Sequence, residues 1–174
     1  MPAIRIEDKV KTEKYMDINT VAAQFSEVVN DTGYCAVVAL AVVAEIEYEA
    51  AYELLKTHGR EDREGTNKAT LDAALKALGL KQVFVEPREF IKDYRGIHSE
   101  VLKNVTTHHP KRFNEVFTDG YKYLFYSNSH VSAIVDGVNH DYTKGTAKRV
   151  KTIAAIIPLT SKISEYLKGR GFMK

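Results

Sequence analysis

The chain has 174 residues, 44% of them hydrophobic and 28% charged, with a formal net charge of +2. That is enough for one globular domain with a sizeable core, and it excludes a disordered chain and a strongly basic nucleic-acid binder. The single cysteine excludes an internal disulfide and a Cys-cluster zinc site and suits a reducing cytosol.

No apolar run approaches the length of a membrane span, and the charged stretch from Met1 to Lys14 lacks the apolar core of a signal peptide. The expectation is a cytoplasmic protein with no membrane, nucleic-acid, metal or cofactor partner. Residues 1–18 alternate weakly in Ile4-Arg5-Ile6, which predicts an edge strand or loose arm. Residues 19–79 read as helical. Asn19 or Thr20 caps a helix carrying Val21, Phe25, Val28 and Val29, which ends near Asn30. After the turn at residues 30–34 comes Cys35 and nine apolar residues, Ala36 to Ala44, with Asp31 or Thr32 as the expected cap. A helix apolar on every face is a buried one. Tyr48, Ala51, Tyr52, Leu54 and Leu55 mark an amphipathic helix stopped by Gly59. Beyond the charged loop 59–65, Thr66 is the expected cap of a helix carrying Leu71, Leu75 and Leu78, closed by Gly79.

Residues 80–160 read mostly as sheet. Gln82 to Val85 is a short strand, and residues 88–118 hold one or more short helices. Strands follow at Tyr121–Tyr126, His130–Val135, Val138–Tyr142 and Arg149–Ile157. Asp136-Gly137 is a two-residue hairpin signal, because a type I′ turn needs positive φ at both positions. Residues 161–174 form a basic tail with a short helix and a solvated face. The whole is a single α+β domain: helices first, antiparallel meander second.

Cys35 in the first turn of a helix meets unpaired N–H groups that favour thiolate over thiol. A lone cysteine beside an apolar run is more often a small core residue than a nucleophile. Nucleophilic chemistry needs a base and a group that orients it. A turn centred on Asp136-Gly137 makes the numbers of facing residues sum to 273. Asp141 then faces Ser132 and lies diagonal to His130, on the same face as Asn139 and opposite to His140. His108-His109 is a weak metal candidate for want of further ligands.

Cys35-Ala-Val37-Val-Ala39-Leu40-Ala41, then Gly59-Arg60 with Gly65-Thr66, then His130 with Asp136-Gly137 and Asp141, resembles the papain-like cysteine peptidases, in particular small bacteriophage-encoded members. The likeness covers roughly residues 20–157. It implies a helical part holding the cysteine, packed on an antiparallel sheet holding the histidine. It implies Cys35 as nucleophile, His130 as base and Asp141 as orienter. Papain-like enzymes place a Gln or Asn shortly before the cysteine to donate to the oxyanion. The usual position, six residues ahead, is Val29, which leaves Asn30 as the candidate. The implied activity is hydrolysis of a peptide or isopeptide bond in a protein substrate, such as a host protein in the host cytoplasm. An acyltransferase, transglutaminase or deamidase would reuse the same residues, and a non-catalytic scaffold binding a host protein would need none of them.

Overall fold

The computed structural model describes residues 6–85, 117, 119–127, 129–140 and 151–172. Over these residues the chain is a mixed α+β fold. Four helices come first: α1 (Ile6–Val29), α2 (Cys35–Ala44), α3 (Tyr48–Thr57) and α4 (Lys68–Ala77). The strands are β1 (Leu80–Val85), β2 (Lys122–Ser127), β3 (His130–Val135), β4 (Val138–Asn139) and β5 (Thr152–Pro158), followed by α5 (Ile163–Gly169). The strands form one antiparallel sheet in the order β1-β5-β2-β3-β4.

The sheet is covered on both faces, and strand alternation sorts the side chains between two cores. Leu124, Tyr126, Val131, Ala133, Ala154 and Ile156 pack with the helices α1 to α4. Tyr123, Phe125, Ile134, Ile153, Ala155 and Ile157 pack on the other side with Phe117 and Tyr166 of α5. Helix α2 is the rod between the layers. Its residues Ala36 to Val43 are all buried, as the continuous apolar run requires. Among the described helices none is long and apolar enough to cross a membrane.

Four local expectations are corrected. Residues 6–18 are helical rather than an edge strand or loose arm. The alternation at Ile4-Arg5-Ile6 is too brief to set a strand. From Ile6 to Val29 there is no Gly or Pro, and Glu, Lys, Gln, Met and Ala favour helix. Helix α2 starts after Tyr34, not at Asp31 or Thr32, and Tyr34 makes no side-chain cap bond. Helix α4 is capped by Asn67 rather than Thr66: the Asn67 side chain accepts from the Thr70 N–H at 2.7 Å. Asp31 and Thr66 are both engaged elsewhere, with Arg60. The basic C-terminal segment is not solvated all round either. Tyr166 is buried, its hydroxyl lies 3.1 Å from that of Tyr123, and Tyr123 donates to Asp119. Burial pushes Tyr166 up to about 12. The short helices expected within residues 88–118 and the pair His108-His109 fall outside the described residues, Phe117 apart.

The hairpin register is the expected one. Ile134 pairs with Asn139 and Val135 with Val138, and the His140 N–H donates to Ala133 O at 2.9 Å. Asp136 and Gly137 have φ of 50° and 74°, the paired left-handed residues of a type I′ turn. A β-branched residue is strained there, so Gly137→Val should destabilise the fold by about 1–3 kcal/mol. Chemical denaturation reads this directly, and an unchanged midpoint would contradict the turn assignment.

Candidate active site

Helix α1 ends on Asn30 in the left-handed conformation (φ 55°). The Asp31 N–H bonds to Ser26 O and the Asn30 N–H to Glu27 O, the pattern of a Schellman cap with Asn30 at C′. Helix α3 ends the same way. Gly59 has φ of 104°, the Arg60 N–H bonds to Leu55 O and the Gly59 N–H to Lys56 O. Asp31 and Arg60 are therefore the first residues beyond two matching helix ends, and their side chains meet. Arg60 Nη2 donates to Asp31 Oδ2 at 2.8 Å, with both side chains fully buried. The other Asp31 oxygen accepts from the Arg63 N–H at 2.7 Å, and Arg60 Nε donates to Thr66 Oγ1 at 3.0 Å. The guanidinium carbon lies 5.8 Å from the Tyr52 ring centre.

This pair ties together two loops that line a cavity of about 450 Å³. One wall carries Gly33, Cys35 and Ala36; the other carries Glu64 to Lys68 and Leu71. Tyr126, Ser127, Ser129, His130 and Val131 supply the rest from the β2–β3 turn. Lys68 Nζ stands 5.0 Å from the centre of the Tyr126 ring, a cation–π contact at the cavity wall.

Cys35 is the first residue of α2 and is half-buried. Its thiol is pulled in opposite directions. Burial pushes its pKa up. A hydrogen bond from the His130 side chain, the Val131 N–H, the charge of His130 and the Ala36 N–H push it down, and together they prevail, leaving it below that of an ordinary thiol. The α2 amino terminus acts in the same sense, since its first turn holds no acidic side chain. His130 is buried at the first position of β3, paired with Ser127 across the hairpin. The arrangement fits acyl chemistry: a thiol biased toward thiolate, an imidazole bonded to it, and open space in front of both.

Of the four residues singled out by sequence, Cys35 and His130 are brought together. Asn30 is not. It is exposed, serves as the αL residue ending α1 and does not line the cavity. The main-chain N–H groups bonded to the thiol are those of Val131 and of Ala36 at the head of α2. Asp141 lies outside the described residues, although the register that motivates it holds as far as His140. Sequence reasoning missed the partnership of Asp31, Arg60 and Thr66, taking two of them for helix caps. The signal was present in Asn30 and Gly59, since a left-handed residue after a helix turns the next side chain back across the helix end. The chain matches no protein-family model, no curated protein and no solved structure.

At pH 6, Cys35 should react with iodoacetamide at least about tenfold faster than in a His130→Ala variant, equivalent to about 1.4 kcal/mol of barrier. Equal rates, rising together only at alkaline pH, would return Cys35 to the status of a core thiol.

Proposed function

We propose that this chain is a thiol-dependent hydrolase of peptide or isopeptide bonds, with the layout of a papain-like enzyme. The observation that carries the reading is the hydrogen bond between His130 and Cys35 inside an open cavity. In the first half-reaction the Cys35 thiolate attacks the substrate carbonyl carbon. The tetrahedral oxyanion is met by main-chain N–H groups at the head of α2, where the helix dipole is positive. Protonated His130 gives its proton to the departing amine as the C–N bond breaks, leaving a Cys35 thioester. In the second half-reaction neutral His130 takes a proton from water, which attacks the thioester. Collapse of that intermediate releases the carboxylic acid, and the sulfur leaves as thiolate beside protonated His130.

In this reading Asp141 is the group that orients the His130 ring and favours its cationic form. Asp141→Ala should lower the alkylation rate of Cys35 by at least about tenfold at pH 6. His140→Ala should leave it unchanged, because His140 points to the opposite face of its strand. The reverse pattern would remove Asp141 from the reaction.

The substrate class fitting the reading is a protein, in a host cytoplasm if the chain is phage-encoded. Wild type and Cys35→Ala are incubated with host lysate, and new protein termini and lost isopeptide adducts are read by mass spectrometry. New termini or lost adducts only with wild type are expected. New amide links or glutamine-to-glutamate conversions would replace hydrolysis with acyl transfer or deamidation. Identical spectra in the two arms would replace it with a binding scaffold.

A further inference from the structure

We infer that Asp31 and Arg60 are positioning residues for the nucleophile: their buried pair fixes the loop that launches Cys35 against the opposite wall of the cavity. The inference rests on Cys35 being the nucleophile, as proposed above. Neither residue lines the cavity, so neither is placed to touch substrate. Their effect must pass through the chain. The connection is short. Three residues separate Asp31 from Cys35, and the same carboxylate holds both the Arg60 guanidinium and the Arg63 N–H. Arg60 in turn holds Thr66, a cavity-lining residue.

The two loops also touch through their glycines. A Cβ on Gly33 would lie 3.5 Å from the Gly65 Cα and N, and the two glycines have φ of 67° and 72°. Both glycines line the cavity together with Cys35, in a conformation that other residues rarely adopt. Two walls of the cavity therefore have one relative position, and the fork of Arg60 on Asp31 and Thr66 defines it.

A purely stabilising role is the weaker account. Buried ion pairs recover little more than their desolvation cost, and apolar residues of similar volume often replace them without loss of stability. What apolar residues cannot reproduce is directional bonding that fixes a register between two loops. The thiol is sensitive to such a register. Burial works against the thiolate, while the His130, Val131 and Ala36 contacts that favour it depend on where Sγ stands. Among the described residues, the titratable groups sharing the cavity with it are His130 from β3, Tyr126 from β2, and Glu64 and Lys68 from residues 64–68.

The test is the pH profile of Cys35 alkylation by iodoacetamide in full-length Asp31→Asn, in Thr66→Val and in the double variant Asp31→Leu with Arg60→Met, with circular dichroism confirming the fold. In Asp31→Asn the rate at pH 6 should fall about tenfold or more, as expected when a reacting group is displaced by a fraction of an ångström to an ångström. The whole profile should move toward that of an ordinary thiol. Thr66→Val, which removes one acceptor and no charge, should shift the profile less and in the same direction. It decides the matter if Asp31→Asn does not fold. The double variant should keep the melting temperature and still lose the fast reaction at pH 6. Folded Asp31→Asn or Thr66→Val with the wild-type profile would overturn the positioning role and leave the nucleophile standing. An ordinary-thiol profile in wild type itself would overturn the hydrolase reading instead.

Discussion

The hydrogen bond between His130 and Cys35 joins the two halves of the molecule at the point where chemistry is proposed. One partner is the first residue of a buried helix, and the other is the first residue of a strand beneath it. Everything nearby serves to bring those two ends together. The apolar length of α2 sinks the helix into the core and leaves its two end residues, Cys35 and Ala44, half-buried. The β2–β3 hairpin sets the height of His130, because Ser127 and His130 close the ladder opposite each other. The same burial that makes α2 a rigid support also opposes ionisation of the thiol, so the imidazole and two main-chain N–H groups must outweigh it.

The second constraint is the meeting of two helix ends. Helices α1 and α3 each finish with a left-handed residue, and each then delivers a charged side chain into the interior. Removing one member of such a pair leaves an uncompensated buried charge, at a cost of about 3–5 kcal/mol. The pair therefore couples loops distant in sequence without lying in the site. Tyr52 lies beside Arg60 and donates to Asp62 at 2.5 Å, so α3 contributes to the same cluster from its buried face.

Much of this was legible in the sequence because it depends on local pattern. The run from Ala36 to Ala44 required a buried helix, and Asp136-Gly137 required a turn whose register then placed Asn139 opposite Ile134. Where several neighbours can do the same local job, the sequence was silent. Asp31, Thr32 and Tyr34 compete to start α2, and Thr66 and Asn67 compete to start α4. The tertiary demand of Arg60 removed Asp31 and Thr66 from that competition. Asn30 misled for a related reason. Its place before Cys35 suggested an oxyanion donor, whereas its left-handed backbone ends α1. The meeting of Cys35 with His130 depends on residues 95 positions apart, which no local period encodes; it was reached through resemblance to a family, and Asp141 still rests on that resemblance together with the hairpin register.

The central claim is that His130, beside Cys35, holds the thiol below the range of an ordinary thiol. The direct measurement is the ultraviolet absorbance of the thiolate followed against pH. The chain has one cysteine, so the signal has one source, and tyrosine ionisation interferes only toward about pH 10. In wild type the thiolate band should develop at a lower pH than in His130→Ala, because the imidazole that draws the thiol downward is then absent. A wild-type band that emerges in step with that of His130→Ala would contradict the account.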